Sequence, residues 1–541
     1  MSAEPLVYAS QTARRARRTY AFLAAPDAER NGLRRVPVVI AGGGPCGLAM
    51  ALDLARYGVE CVVLERANCL SDGSRAICWA KRSLEFLDRL GAAAGLVARG
   101  VTWNVGKVFL GGAPEPIYTF DLLPEKDQKF PAFINLQQYY LEEALVERLA
   151  AEACVELRWQ HAVKAVRQDA AGVTVDIGTP LGDYTLACDY LIAADGCRST
   201  VRSLLGLDFA GRSFNDNFLI ADIRMKAPFP AERRFWFDPP FNRGRTALMH
   251  RQPDDLWRLD FQLGPTVDRR AALEPAAVAA KVHGMLGAEI PFEYEWVSIY
   301  DFQCRRMERF VHGRVLFVGD AAHLVSPFGA RGANGGLQDV DNLGWKLARV
   351  LAGRSPPALL DSYDVERCRA ADENILNSAR ATDFMTAATP AAQAYRDAVL
   401  ELARDFEFAR PLVNSGRLSR PAVLDDSPLS TPEASMFEHA MRPGAPCVDA
   451  RLGSGWLLEK LGGRFVALHF AADDAAQRQV PAGVELVVVR PADDREGLAA
   501  RRYDAAPGTT YLVRPDQHVC ARWRAFDPHA LDAAVKRATV H

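Results

Sequence analysis

The sequence predicts an α/β protein: a parallel-sheet unit towards the N-terminus, an antiparallel sheet inserted into it, and a separate unit at the C-terminus. Three observations predict this class. A buried-strand pattern runs into a glycine knot in VPVVIAGGGPCGLAMAL, residues 36–52. Apolar and polar residues alternate through roughly 209–300. New strand patterns begin beyond a turn-rich stretch, after about residue 440.

The 541 residues exceed one ordinary core, so two or three domains are expected. A 49% hydrophobic and 24% charged composition is that of a globular chain, and a net charge of −2 gives no reason to expect nucleic acid. The 11 cysteines include no C-x-x-C pair, so zinc and disulfide readings both fail and a reducing cytoplasm is the simplest compartment. Residues 1–35 read as an arm, disordered or wrapped on the surface. Arg14, Arg15, Arg17 and Arg18 cluster there, but Glu4, Asp27 and Glu29 argue against a transit peptide.

The glycine-knotted stretch is too short for a membrane span, which needs about twenty apolar residues. Asp53 and Arg56 end it. Val36–Ala41 instead reads as a fully buried parallel strand. Gly42, Gly44 and Gly47 then form a G-x-G-x-x-G frame, with Pro45 at the start of a helix that stops near Tyr57–Gly58. Gly42 permits the tight turn, Gly44 lets backbone approach a pyrophosphate, and Gly47 lets helix pack on strand. A second buried strand, Glu60–Leu64, leads to Glu65 and Arg66. Glu65 lies eighteen residues past Gly47, placed to accept from a ribose hydroxyl. The unit is Rossmann-like and predicts a dinucleotide; NAD and FAD share the ADP half, so it does not separate them.

Two distant blocks do. YLIAADGCRSTVRSLLGLDFAG (190–211) carries a strand into Asp195-Gly196. GRVLFVGDAAHLVSPFGARGANGGLQDVDNLGWKLARVL (313–351) carries a strand into Gly319-Asp320, then a loop and a long helix opening near Ala333–Asn334. With the glycine frame, these blocks resemble the single-component FAD-dependent aromatic hydroxylases related to para-hydroxybenzoate hydroxylase. INLQQYYLEEALVERL (134–149), LLDSYDVERCRAADENI (359–375) and VNSGRLSRPAVLDDSPLSTP (413–432) look most like the 3-(3-hydroxyphenyl)propionate hydroxylase and phenol-hydroxylase-like branch.

The resemblance implies FAD as cofactor, NAD(P)H as transient cosubstrate, O₂, and a small aromatic substrate hydroxylated through a flavin C4a-hydroperoxide. It gives Asp320 the flavin's ribitol, Asp195 both FAD and the nicotinamide nucleotide, and Arg75 and Gln138 further FAD contacts. The helix opening at Gly332, Ala333 and Asn334 would face the flavin's N1/C2 edge, where its N–H groups stabilise negative charge. Pro327 matches the proline whose carbonyl lies near the flavin's reactive face. The chain departs from its relatives in reading GARGAN where many read G-G-Q-G-M-N, so that Arg331 is either near the flavin edge or in solvent. Ile77 stands where some place a histidine base. His323 reads as a structural histidine.

Within 209–300 the strands DNFLIADIRMKA, RRFWFDPP, RTALMHRQ and LWRLDFQL suggest an antiparallel sheet, which in this family walls the substrate pocket. Trp236, Phe237, His250, Arg258, Asp260, Gln262 and Tyr300 lie in or beside it; His250, Arg258 and Tyr300 are the candidates to activate the substrate. Residues 352–440 read as helices and loops, completing an FAD-binding domain over 36–440. Residues 441–541 resemble the thioredoxin-like C-terminal domain of phenol-hydroxylase-type relatives; lacking C-x-x-C, they suit a structural or homodimer-forming role. Two rivals remain. A flavin-dependent halogenase would carry W-x-W-x-I-P, absent around Trp257 and Trp345. A non-catalytic FAD-binding scaffold would bind the cofactor without oxidising NAD(P)H.

Overall fold

The computed structural model describes residues 7–9, 18–25, 33–71, 75–123, 125–413, 420–438, 441–472 and 479–541. Arg14, Arg15 and Arg17 of the arm lie outside them. Parallel strands Val155–Trp159, Cys61–Glu65, Arg34–Ala41, Gly182–Ala193 and Val315–Phe317 lie side by side in that order. Val38, Val39, Ile40, Val62, Val63, Ile192 and Leu316 are fully buried, as strands covered on both faces require. Helix Pro45–Arg56 returns across this sheet and packs against helix Gly332–Leu351. The Asp53 side chain packs onto Gly344, where a Cβ would lie 2.0 Å from Asp53 Oδ2.

The expected antiparallel sheet is present, with strands Phe218–Arg224, Arg233–Phe237, Thr246–Arg251, Leu256–Gln262 and Glu293–Tyr300. It is wider than the 209–300 stretch implied: Val105–Leu110 and Tyr118–Asp121 extend one edge and Val7–Ala9 the other, making eight strands. Its outer face buries Leu219, Ala221, Met249, Trp257, Leu259 and Phe261 under helix Pro275–Leu286. Its inner face turns towards the parallel sheet. The described part of the arm wraps the surface: Val7–Ala9 pairs with Trp296–Ser298, Tyr20 N donates to Asn68 O at 2.7 Å, and the Tyr20 ring stacks on Trp159 at 4.2 Å.

Near the C-terminus, strands Phe465–Phe470, Val484–Val489, Thr510–Val513 and Val519–Trp523 form a four-stranded sheet followed by helix Pro528–Thr539. It docks on the rest of the chain through apolar packing, Trp345 meeting Phe465 at 5.6 Å, and through buried charge. Glu366, on helix Asp361–Thr386, accepts from Arg514 at 2.5 and 3.0 Å and from Lys346 at 2.7 Å. Burial opposes ionisation of Glu366, yet Arg514 and Lys346 hold its carboxyl well below the usual range. Arg82 extends the bridge, donating to Gln517 Oε1 at 3.0 Å and Asp516 O at 2.5 Å.

Removing one partner of a buried ion cluster strands the others, at about 3–5 kcal/mol. Glu366→Gln is therefore expected to lower the thermal unfolding midpoint by several degrees. An unchanged calorimetric midpoint would show that the cluster contributes nothing to docking.

Candidate functional site

Ala193 lies between Ala41 and Phe317 in the parallel register, so the loops after these strands leave the sheet at one edge. Their backbones are stitched together: Ala194 N donates to Ala41 O at 2.8 Å and Val318 N to Ala193 O at 3.0 Å. Gly42 turns with φ +108°, and a Cβ there would lie 2.5 Å from Ala194 O. At Gly47 a Cβ would sit 1.9 Å from Gly42 O, so this glycine lets the turn fold back on its helix. Gly44 differs. Nothing lies within 4 Å of its Cβ position, and the helix that Pro45 opens has no side-chain cap. Its first N–H groups are therefore uncapped by any side chain, the arrangement that suits a phosphate. Glu65 braces the turn, accepting from Gly43 N at 2.7 Å and Ala67 N at 2.8 Å, and each oxygen keeps a lone pair for a sugar hydroxyl. Arg66 is exposed beside it.

Cys46 couples the first block to the third: Cβ atoms on Gly319 and Gly336 would lie 2.7 and 2.6 Å from its sulfur. Asp339, completely buried, then holds the third block together. It accepts from Gly319 N at 3.0 Å, pairs with His323 Nε2 at 2.7 Å and receives Arg367 Nε at 2.7 Å. Burial opposes its charge, but His323 and Arg367 keep its carboxyl below the ordinary value. His323 thus has the partner that its sequence context hid.

Two carboxylates are left over. Asp195 Oδ2 accepts from Val201 N at 3.0 Å, while its Oδ1 is buried without a partner among the described residues. Asp320 makes no hydrogen bond to the described residues. It opens to solvent in a crevice that protein otherwise crowds, and this burial raises its carboxyl above the ordinary value against the pull of His323 and Arg75. Such acceptors suit hydroxyl donors, as a ribitol or ribose supplies.

Helix Gly332–Leu351 also starts without a side-chain cap, and Gly332 and Ala333 are half-buried at its opening. Asn334 is not the cap of this helix. It accepts from Ala80 N at 2.9 Å and Ser83 Oγ at 2.6 Å and donates to Cys78 O at 2.9 Å, pinning the helix start to the strand Cys78–Ala80. Arg331 does not point to solvent: it is buried, donating to Asn374 Oδ1 at 3.0 Å. Pro327 is exposed, and its carbonyl accepts from Ala330 N at 3.0 Å in a turn that holds Ala330 at φ +53°. Arg75 is exposed, whereas Gln138 is engaged with Ala76 N at 3.3 Å and Glu142 at 2.8 Å.

The inner face of the antiparallel sheet closes over these loops. Phe218 meets Phe328 at 5.3 Å, beside Pro327, and Arg258 donates to Arg75 O at 2.8 Å. A polar rung crosses this face through His250, Arg258 and Asp222. Arg258 is held at both ends by Asp222, at 2.8 and 3.1 Å. Burial, with Arg233 and Arg258 beside it, pushes His250 well below the ordinary histidine value, so the ring is neutral. Burial lifts Asp260 to about 6, against Arg258; His250 Nε2 is 3.7 Å from it. Tyr300 stands half-buried opposite Phe218. Sequence reasoning passed over Arg233, which the register sets next to His250. Its signal was the alternation in RRFWF, which puts Arg233 on the same face as Phe235 and Phe237.

A family model described as FAD binding domain matches residues 35–378. The 12-dehydrotetracycline 5-monooxygenase/anhydrotetracycline 6-monooxygenase of Streptomyces rimosus is 33% identical over 507 residues, 91% of this chain and 95% of that protein. A 3-(3-hydroxy-phenyl)propionate/3-hydroxycinnamic acid hydroxylase of Burkholderia vietnamiensis is 28% identical over 93% of this chain and 96% of its own. In fold, the chain resembles the crystal structure of the flavin-dependent monooxygenase PieE, with a TM-score of 0.77 at 24% identity over 94% of this chain and 99% of that one. Among the described residues no helix is long and apolar enough to cross a membrane.

The two glycines should separate on substitution. Gly47→Ala is expected to lower the unfolding midpoint as well as FAD content. Gly44→Ala, whose side chain meets only open space, should leave the midpoint of the cofactor-free protein unchanged and weaken FAD binding alone. Equal effects in both assays would contradict these separate roles.

Proposed function

We propose that this chain, an FAD-dependent aromatic monooxygenase that belongs to the FAD-binding-domain family, hydroxylates a phenolic ring using O₂ and NAD(P)H. The observation that carries the reading is the convergence of the Gly44 turn, the unpartnered Asp195 Oδ1 and the open Asp320 at one sheet edge, facing an aromatic wall. The flavin, when bound, supplies the redox chemistry that accepts the hydride and delivers one atom of O₂ to the ring.

The residues of this chain supply the surroundings. Gly44 and the helix opened by Pro45 seat the pyrophosphate, Glu65 the ribose and Asp320 the ribitol. The start of helix Gly332–Leu351 stabilises negative charge at the flavin's carbonyl edge. Phe218, Phe235, Phe237, Phe302 and Phe328 exclude water from the reacting face. His250, 3.7 Å from Asp260, is the candidate to pass a phenolic proton on to that carboxylate rather than hold it, since burial and two arginines disfavour its charged form, whereas Arg258 is already committed to Asp222. Asp195 serves the nicotinamide nucleotide during its transient visit. Residues 441–541 are assigned the thioredoxin-like fold of phenol-hydroxylase-type relatives, in a structural or dimer-forming role, and the protein a cytoplasmic setting.

Fused-ring phenols are the first substrates to test, because the relative at 33% identity is named for anhydrotetracycline; hydroxyphenylpropanoates follow. Aromatic-stimulated NAD(P)H oxidation with a product heavier by one oxygen is the expected result, and FAD binding without any such oxidation would favour the scaffold reading. Asp320→Ala is expected to weaken FAD retention by roughly tenfold or more while the C-terminal sheet stays folded. Normal flavin occupancy in that variant would refute the role given to Asp320.

A further inference from the structure

Arg258, buried on the strand Leu256–Gln262, is by its sequence a candidate to activate the substrate, yet its bonds lead elsewhere. Its Nε and Nη2 donate to the two oxygens of Asp222 at 2.8 and 3.1 Å, directly across from it on the neighbouring strand. Two parallel bonds to one carboxylate fix the plane of a guanidinium. Gln252 Nε2 braces Asp222 Oδ1 from the side at 3.3 Å. With the plane fixed, Nη1 has a set direction, and it donates to the carbonyl oxygen of Arg75 at 2.8 Å.

The stretch from Arg75 to Ala80 runs from this bond to the opening of helix Gly332–Leu351. Ala76 N donates to Gln138 Oε1 at 3.3 Å, and Ile77 O accepts from Leu136 N at 2.7 Å. Asn334 then takes Cys78 O and Ala80 N, both at 2.9 Å. The stretch is thus tied to the antiparallel sheet at one end and to the helix at the other. The Arg75 side chain, by contrast, is exposed, and its charge reaches Asp320, whose carboxyl it pulls down against the effect of burial. An arginine grips an anion best when its root is already fixed, because only the side chain then has freedom to lose.

We propose that Arg258 is a positioning residue: by holding the carbonyl of Arg75 it aims that arginine at the anionic part of FAD, and it ties the substrate sheet to the cofactor crevice. The inference deepens the monooxygenase reading and rests on the FAD contact given to Arg75. It withdraws Arg258 from acid–base work, which falls to His250 and Asp260.

The test follows free flavin fluorescence as FAD-loaded protein is diluted, giving the dissociation constant of FAD in wild type, Arg75→Ala, Arg258→Lys and the double variant. Arg258→Lys keeps a cation beside Asp222, so no buried carboxylate is stranded, but one ammonium lacks the planar fork that serves Asp222 and Arg75 O together. Arg75→Ala is expected to loosen FAD about tenfold, and Arg258→Lys by a similar factor. The double variant should lose no more than Arg75→Ala alone, as when one residue acts through another. Raised ionic strength should loosen FAD more in wild type than in either single variant, since both lose the same charge contact. Losses that multiply in the double variant, or a salt dependence equal in all four proteins, overturn the proposal. So does a Lys variant that holds FAD as wild type does; if that variant also loses affinity for 4-nitrophenol, read from the flavin absorption, Arg258 belongs to the substrate instead. Should the Lys variant not fold, Asp222→Asn, which frees the guanidinium plane while leaving Arg258 in place, is judged by the same criteria. Multiplying losses sink only the role of Arg258. Wild-type FAD retention in Arg75→Ala sinks the contact given to Arg75 and this inference with it, and a wild type unable to hold FAD sinks the monooxygenase reading itself.

Discussion

Asp339 is the tie on which the site depends. A single buried carboxylate gathers the amide of Gly319, the ring of His323 and the guanidinium of Arg367, and so fixes the Gly319-Asp320 turn against two long helices. Its charge survives in the interior because both partners are cationic or can be, and both are hydrogen-bonded to it. With that turn fixed, the Cys46 sulfur fills the gap between Gly319 and Gly336, and the glycine turn of the first strand is held in register with the turn of the last. The crevice between them is then shaped by backbone, which has no rotamers to lose.

Charge is handled in two different ways on the two sides of the molecule. Where the C-terminal sheet docks, Glu366, Lys346, Arg514 and Asp516 pair with one another and with Asn342, and the cluster is buried. On the inner face of the antiparallel sheet the pairing stops short: Arg258 meets Asp222, but Arg233, His250 Nδ1 and Asp260 are left without a full set of partners. Sealed ionic clusters hold elements together. The incomplete one, with Phe235 and Trp103 beside Arg233, leaves buried polar atoms without a hydrogen-bond partner among the described residues.

The elements most legible in the sequence are those in which a local pattern has only one physical solution. A continuous apolar run such as ECVVL, bounded by glycine and a carboxylate, can be little else but a strand covered on both faces, and it is the strand Cys61–Glu65. The glycine spacing of 42, 44 and 47 likewise carries its own geometry, since the Gly47 backbone leaves no room for a side chain against Gly42. Strands too short to show a period were less legible. Val7–Ala9 and Tyr118–Asp121 join the antiparallel sheet only because its edges offer unpaired backbone groups.

Side-chain partnerships lay beyond the sequence for a related reason. Glu366 and Arg514 are 148 residues apart, and Arg331 could have turned to water had Asn374 not been beside it. Periodicity says which face a residue occupies; it carries no information on which distant charge will stand opposite. The sequence by itself therefore determined the strand–turn–helix unit, the dinucleotide chemistry of its glycines and the inward direction of the antiparallel strands, because backbone sterics and hydrophobic period act over a few residues. Only the tertiary structure decided that Arg258 would be neutralised, His323 paired and Arg233 left bare, because electrostatic pairing depends on distances that exist only once the sheets have closed on each other.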